Sequence, residues 1–263
     1  MSLLEGKNAL VFGLANQRSI AYGVTKALHE YGANVGISYA NEKMAKRARP
    51  LGEELGLEFM EECDVTEDAA IKAVAEKAKD HFGEIDVLVH AVAFANREDL
   101  TGPFYDTTRE GFALAMDISV YSFVALAQAF QPILRTGASL ITMTFYGSMR
   151  VVPSYNVMGV AKAALEATTR YLARDFGPQG IRVNAISAGP IRTLSAAGVS
   201  GLRDMLRNYA EMSPLRENVD IDDVGGAAVY LASDLSKKVT GEIHYVDSGY
   251  NIVGIADKFM EEG

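Results

Sequence analysis

Tyr155 and Lys162 are the two side chains in this sequence whose types and spacing point most directly to chemistry. They are seven residues apart. Because an α-helix has about 3.6 residues per turn, they share one helix face with a rise of about 10 Å. An ammonium group near a phenol stabilises the phenolate and makes the phenol a better donor toward a developing oxyanion, and it can also hold ribose hydroxyls. The alternative is a surface tyrosine and a surface lysine at a common helical spacing.

The turn after the first predicted strand is a candidate phosphate site. Gly13 stands where the turn begins, and Ser19 can cap the next helix and donate its hydroxyl to phosphate. The G-x-G-x-x-G pattern of dinucleotide-binding turns is absent, since Ala15 and Gln17 intervene and the next glycine is Gly23. A helix cap without any ligand explains the turn nearly as well.

Three further turns follow predicted strands. Asp64 and the backbone amide of Val65 can pair with an adenine edge, and residues 91–95 are small or apolar, as close contact with a cofactor requires. Residues 189–193 suit a nicotinamide amide. Each could be a plain turn, but all three follow strands whose carboxyl ends bind ligands in parallel sheets.

The elements that must position these residues alternate along the whole chain. Strands are predicted at 9–12, 34–39, 58–62, 87–91, 139–144, 182–187 and 243–246. Helices are predicted at 20–31, 42–55, 67–82, 108–134, 155–176 and 221–233. This alternation predicts an α/β fold with one doubly wound parallel sheet of about seven strands, of Rossmann type, and helices on both faces.

No linker or repeat interrupts the alternation, so residues 1–263 are predicted to form one domain. Residues 194–214 fit a substrate-binding lid at the carboxyl edge of the sheet, because they follow a strand there and are rich in small residues. The alternative is an ordinary surface helix with a mobile loop.

Composition excludes several classes of protein. The 263 residues are 49% hydrophobic and carry a net charge of −9. This charge disfavours a nucleic-acid binder or a ligand of anionic membranes. The single cysteine, Cys63, rules out an intramolecular disulfide, and the four histidines lack ligand spacing, so no metal site is expected. The longest uncharged stretch, 118–134, is short for a membrane span and fits a buried helix. With no signal-peptide pattern at the N-terminus, a cytoplasmic protein is predicted.

The sequence resembles the short-chain dehydrogenases/reductases and, within them, the enoyl-[acyl-carrier-protein] reductases. The resemblance spans nearly the whole chain. It rests on the segments 13–23 and 184–193, on Tyr146 with the Tyr155-x6-Lys162 pair, and on 246–250 near the end. Carbonyl reductases of the superfamily have three residues between tyrosine and lysine. Here Gly159 fills that place, and Thr142 stands near the position of their serine.

The resemblance implies NADH- or NADPH-dependent reduction of a trans-2-enoyl thioester carried on acyl carrier protein, by a homotetramer. It implies that Tyr155 donates to the thioester oxygen, that Lys162 holds the nicotinamide ribose, and that Tyr146 belongs to the active site. It places Ala95 against the substrate. The residues it assigns to the cofactor are Gly13, Ser19, Ile20, Asp64, Val65, Val92, Lys162, Ile191, Arg192, Thr193, Leu194 and Ser195.

Two other functions share parts of this pattern. A carbonyl or 3-oxoacyl-thioester reductase has the same fold and cofactor, but the seven-residue spacing argues against it. A nucleotide-sensing regulator without turnover would not need the complete set of Tyr146, Tyr155 and Lys162.

Two interactions can be anticipated from charge. At the end of the second strand, Ala40 offers no partner to the 2′-phosphate of NADPH. Glu42 would favour the free ribose hydroxyl of NADH, and Lys43 would favour the 2′-phosphate, so NADH is favoured on balance.

Acyl carrier protein is acidic, so a negatively charged enzyme needs a local basic surface to bind it. Four arginines against two acids occur between positions 192 and 216, namely Arg192, Arg203, Arg207 and Arg216 against Asp204 and Glu211. The alternative is a solvated helix with incidental arginines.

Overall fold

The computed structural model describes residues 2–193 and 201–255. One parallel sheet carries seven strands in the order β3-β2-β1-β4-β5-β6-β7. The strands are β1 (Asn8–Phe12), β2 (Asn34–Tyr39), β3 (Met60–Glu62), β4 (Ile85–His90), β5 (Leu134–Thr144), β6 (Arg182–Ala188) and β7 (Ile243–Val246). The order reverses between β1 and β4, which is the point where ligands bind in open α/β sheets.

Helices cover both faces of this sheet. They are α1 (Ile20–Glu30), α2 (Glu42–Glu54), α3 (Asp68–Phe82), α4 (Arg109–Met116), α5 (Ser122–Phe130), α6 (Asn156–Phe176), α7 (Leu202–Met212) and α8 (Ile221–Ala232). Apolar residues of α1, α2 and α8 form the core on one face, and those of α3, α4, α5 and α6 form the core on the other. The predicted doubly wound sheet of about seven strands is therefore confirmed.

The nucleotide end of the sheet is braced by close packing of α1 on α8. A side chain at Gly225 would bring its Cβ within 2.8 Å of both the Gly23 carbonyl oxygen and the Ala27 methyl group. Gly23, the second glycine after β1, therefore lies within α1 against α8. Its small size allows two helix backbones to approach, and this contact fixes the direction in which α1 points.

The predicted helix over 108–134 is divided in the structure. A π-helical segment, Asp117–Tyr121, joins α4 to α5, and a short 3₁₀ turn, Gln131–Ile133, follows α5. Within the described residues, Arg109–Ile133 is one helix long and apolar enough to cross a membrane by length and composition. Core helices of soluble proteins pass the same test, and Phe123, Leu126 and Phe130 are fully buried against the sheet. This packing supports the interpretation of a buried helix.

Candidate active site

The structure brings most of the predicted site residues to one edge of the sheet. Each group directly follows the carboxyl end of a strand, and all the strands are parallel. Gly13 follows β1, Asp64 and Val65 follow β3, Val92 and Ala95 follow β4, Tyr146 follows β5, and Ile191, Arg192 and Thr193 follow β6. Tyr155 and Lys162 belong to the start of α6, which comes next after β5.

Gly13 has a conformation and a neighbour that exclude any side chain. Its φ is +100°, and a Cβ there would collide with the Ala91 carbonyl group at the end of β4. Its amide donates to the Ser38 carbonyl oxygen of β2 over 3.1 Å. Residues at the ends of β1, β2 and β4 meet at Gly13. The turn therefore presents backbone atoms without a side chain to a ligand bound between β1 and β4, where the strand order reverses.

Ser19 caps α1, as expected. Its hydroxyl accepts a hydrogen bond from the Tyr22 amide at 3.3 Å and donates one to the Asn16 carbonyl oxygen at 2.6 Å. Ile20 is the first residue of the helix. The positive end of the α1 dipole therefore faces the turn that begins at Gly13, which suits a pyrophosphate.

Asp64 and Val65 lie in the turn between β3 and α3. The exposed Asp64 carboxylate accepts hydrogen bonds at Oδ1 from the Thr66 amide at 3.0 Å and from the Thr66 hydroxyl at 2.8 Å. The side chain of Val65 is buried in the core beneath. The turn is thus held by its own side chains, with the carboxylate at the surface where an adenine edge would reach it.

The loop that carries Val92 and Ala95 is held by the π-helical segment. Ser119, which is fully buried, accepts a hydrogen bond from the Phe94 amide at 3.1 Å and donates to the Phe94 carbonyl oxygen at 3.2 Å. Helices with such an inserted residue are frequent at functional sites. In this protein, the π-helical segment places the Ser119 hydroxyl against the loop that carries Val92 and Ala95.

Tyr155 lies just before α6, between two residues with left-handed backbone. Ser154 has φ +61° and Asn156 has φ +36°. The Asn156 side chain donates to the Gly102 carbonyl oxygen at 3.1 Å. Left-handed conformations cost non-glycine residues free energy and cluster at functional sites, where the surrounding structure maintains them. Helix α6 therefore starts one residue later than predicted, and Tyr155 is its N-cap.

The ring of Tyr155 packs edge-on against Phe145, with centroids 4.9 Å apart and an interplanar angle of 69°. Gly147 makes room for it, because a Cβ there would come within 2.6 Å of the Tyr155 ring. Burial raises the pKa of the Tyr155 phenol above its ordinary value of 10.0. The raised pKa favours the neutral phenol, which has a proton to donate. The effect of Lys162 on this phenol stays a prediction.

Lys162 is buried, with 6% of its surface exposed. Its Nζ donates to the Met143 carbonyl oxygen of β5 over 2.8 Å. Burial lowers the pKa of the ammonium from 10.5 to about 8, and the nearby Glu166 carboxylate opposes that change. A lysine with this pKa keeps its charge at neutral pH and can donate to hydroxyl groups.

Tyr146 belongs to the same aromatic cluster as Tyr155. Its ring packs edge-on against Tyr250 at 5.7 Å, and Tyr250 stacks on Tyr209 of α7 at 3.6 Å. The ring in contact with Tyr155 belongs to Phe145, a residue that was not among the predicted site residues. The aromatic cluster of Phe145, Tyr146, Tyr155, Tyr209 and Tyr250 links α7 to the start of α6.

Residues 191–193 border two open cavities beside the turn after β1. One has a volume of about 400 Å³ and includes Ile191 and Arg192, and the other, of about 520 Å³, includes Arg192 and Thr193. Gln17 and Arg18 line both. The segment after β6 therefore faces the candidate pyrophosphate turn. Leu194 and Ser195 lie outside the described residues.

These features fit a dinucleotide. Gly13 presents bare backbone beside the positive end of α1, and Lys162 offers a charged donor at the same sheet edge. A doubly wound parallel sheet with this turn and a Tyr-x6-Lys pair defines a class: the short-chain dehydrogenases/reductases, which bind nicotinamide dinucleotides.

Comparison with known proteins narrows the class. A sequence profile of the family described as Enoyl-(Acyl carrier protein) reductase matches residues 13–251. The chain is 51% identical over 253 residues to Enoyl-[acyl-carrier-protein] reductase [NADH] 1 of Rhizobium meliloti, covering 96% of this chain and 93% of that protein. The chain belongs to the enoyl-[acyl-carrier-protein] reductase family.

Solved structures agree with this assignment. The enoyl-(acyl-carrier-protein) reductase of Anaplasma phagocytophilum in complex with NAD superposes with a TM-score of 0.92 at 44% identity, covering 97% of this chain and 95% of that one. The Bacillus cereus enoyl-acyl carrier protein reductase with NADP+ and indole naphthyridinone gives a TM-score of 0.95 at 49% identity, with coverage of 97% and 100%.

Proposed function

We propose that this protein is an NADH-dependent enoyl-[acyl-carrier-protein] reductase that reduces the trans-2 double bond of enoyl thioesters in fatty acid elongation. The observation that carries the proposal is the position of Tyr155 and Lys162. Both contact the carboxyl end of β5, Tyr155 through Phe145 and Lys162 through the Met143 carbonyl oxygen, in a chain whose relatives bear this activity by name. Bound NADH would supply a hydride to the β-carbon of the substrate.

Tyr155 would then stabilise the negative charge that develops on the thioester oxygen. Its phenol is neutral because burial raises its pKa, so it has a proton to donate in a hydrogen bond. Lys162 holds the hydroxyls of the nicotinamide ribose with its ammonium group. Gly13, Ser19 and Ile20 hold the pyrophosphate, Asp64 and Val65 the adenine, and Val92 and residues 191–195 the nicotinamide end.

Apolar groups around Tyr155 would exclude water from the reaction. Phe145 packs against the Tyr155 ring, Ala95 would border the substrate, and Tyr146 packs against Tyr250. We place the lid at residues 194–214. Its α7 helix packs inward through the buried Tyr209, which supports a role in covering the substrate.

The activity is tested with Tyr155→Phe. Loss of one oxyanion donor costs about 10²–10³ in rate, so kcat should fall by that factor while NADH affinity stays near normal. Tyr31→Phe is a matched control, because Tyr31 follows the carboxyl end of α1, away from Ser19, with 47% of its surface exposed. An unchanged rate in Tyr155→Phe would remove this residue from the mechanism.

The choice of substrate separates this function from a 3-oxoacyl-thioester reductase. Oxidation of NADH should be rapid with a crotonyl thioester and slow with an acetoacetyl thioester. The reverse order would favour carbonyl reduction, and binding of NADH without turnover of either substrate would favour a nucleotide-sensing role.

The protein partner in this function is acyl carrier protein, and we further propose a cytoplasmic homotetramer. Large apolar side chains stay exposed on the helices of one sheet face. Phe112, Tyr121, Val160 and Tyr171 are examples on α4, the π-helical segment and α6. Another copy of the chain would cover them. Light scattering during gel filtration should give four times the 28.4 kDa chain mass, and a monomer mass would contradict the assembly.

A further inference from the structure

A second buried charge lies one helical turn beyond Lys162. Glu166 is four residues further along α6 and has only 4% of its surface exposed. Residues at this spacing lie on the same helix face. Its carboxylate accepts a hydrogen bond from the Thr144 hydroxyl at 2.8 Å, while Lys162 donates to the Met143 carbonyl oxygen, also at 2.8 Å. The two buried charges are thus anchored to consecutive residues of β5.

A buried carboxylate is costly unless an opposite charge lies near it, and Lys162 is the buried cation one turn away on the same helix face. Burial disfavours the charged form of lysine, whereas Glu166 favours it. No described group of opposite sign other than Glu166 acts on Lys162. The Glu166 carboxylate therefore favours the ammonium form of Lys162 against the effect of burial.

The other ionisable groups around the pair come from several elements. His90 on β4 is buried between the Thr142 and Ser122 hydroxyls, and burial lowers its pKa to about 3. Burial raises the pKa of Tyr155, and also that of Tyr245 on β7, which Glu166 reinforces. Asp247, Tyr146 and Arg150 also act on Tyr245. From pH 6.5 to 9.5, His90, Tyr155 and Tyr245 therefore stay neutral while Lys162 titrates.

We propose that Glu166 is a positioning residue that keeps Lys162 protonated, so that the lysine can hold the cofactor ribose near neutral pH. The proposal rests on the proposed function only for the last step, the contact of Lys162 with cofactor. The electrostatic step concerns the two side chains alone and can be measured without any ligand.

The direct experiment is a titration of Lys162 in the ligand-free protein. With lysine labelled at the ε-carbon, the resonance of Lys162 is identified by its absence in Lys162→Met, and its shift is followed from pH 6.5 to 9.5. Glu166→Gln keeps the size and the acceptor for Thr144 but removes the charge. The midpoint should be near 8 in the wild type and about one to two pH units lower in Glu166→Gln.

Two variants control for other effects. Asp175→Asn removes an exposed carboxylate from the same helix and should leave the midpoint unchanged. Glu166→Asp keeps the charge and should restore most of the wild-type midpoint. If Glu166→Gln does not fold, the wild-type protein still tests the premise that Lys162 has a stabilising partner, because a buried lysine without a partner titrates at about pH 5–6. A wild-type midpoint in that range would overturn the proposal, as would an unchanged midpoint in folded Glu166→Gln.

Fluorescence titration with NADH tests the consequence. If the ammonium holds the ribose, Glu166→Gln should bind NADH about tenfold more weakly at pH 8 but within about twofold of the wild type at pH 6.5. A role in folding alone would weaken binding equally at both values and would contradict the proposal. If the lysine midpoint falls but NADH binding does not change, the pair is electrostatic only and Lys162 does not hold the cofactor. Failure of the proposed function would appear separately, as absence of enoyl thioester reduction by the wild type.

Discussion

Replacement of Gly13 by alanine tests whether packing of the sheet edge, and not only phosphate binding, requires glycine there. The residue has φ +100°, and an added Cβ would collide with the Ala91 carbonyl group. Gly137 offers a matched control, because it has φ +90° and no atom within 4 Å of its added Cβ. The two substitutions share the backbone strain and differ only in the collision.

The expected magnitudes follow from that difference. A left-handed conformation costs a non-glycine residue about 1–2 kcal/mol, so Gly137→Ala should lower stability by that amount. Gly13→Ala adds overpacking, which costs about 1–3 kcal/mol more. A chain of this size changes its Tm by about 2–4 °C per kcal/mol, so thermal unfolding resolves the two variants.

Binding provides the second measurement. Relief of the collision must push the turn away from β4, and a lost hydrogen bond to a charged group costs about 1.5–3 kcal/mol. NADH affinity should therefore fall at least about tenfold in Gly13→Ala and stay unchanged in Gly137→Ala. Equal Tm losses in the two variants would refute the packing argument. A destabilised Gly13→Ala that bound NADH normally would remove Gly13 from the cofactor site.

Two further predictions concern partners at the sheet edge. The exposed Ala40 after β2 gives a 2′-phosphate no partner, so kcat/KM should be higher with NADH than with NADPH. Ala40→Arg should reduce this difference between the two cofactors. A clearly higher kcat/KM with NADPH in the wild type would contradict the prediction. For docking of acyl carrier protein, Arg203→Glu should raise KM more than Arg207→Glu, because Arg207 is already paired with Asp204 at 3.0 Å, and added salt should reduce the effect. Equal losses on a short coenzyme A thioester would instead indicate damage to the lid.

Much of the fold could be predicted because the local sequence pattern of each strand and helix indicates its type. The strands β2 and β7 have the predicted bounds, and most of the other boundaries agree within two residues, although β5 begins five residues before its predicted start. Helix α7 was predicted only as the alternative to a lid segment at 194–214. Leu202, Met205, Leu206 and Tyr209 repeat at i, i+3, i+4 and i+7, a helical pattern that was available in the sequence.

The site was harder to predict where two adjacent aromatic residues could each contact Tyr155. Phe145 and Tyr146 both follow β5 directly, and the 3₁₀ turn that begins at Tyr146 decides which ring faces Tyr155. Sequence spacing does not reveal that turn. Glu166 was missed for a different reason: a lysine and a glutamate four residues apart usually form a solvated surface pair, and only the packing of α6 shows that both are buried.

The seven-residue spacing between Tyr155 and Lys162 has a physical cause in this packing. Gly159 stands where carbonyl reductases carry their lysine, and a Cβ at Gly159 would lie only 2.9 Å from the Gly147 carbonyl oxygen. Gly147 itself has no side chain, and this leaves space for the Tyr155 ring. A lysine at position 159 would therefore push away the segment that holds the tyrosine. Placed one turn further along α6, the lysine reaches β5 and Glu166 instead, so the altered spacing and the buried acid belong to one arrangement.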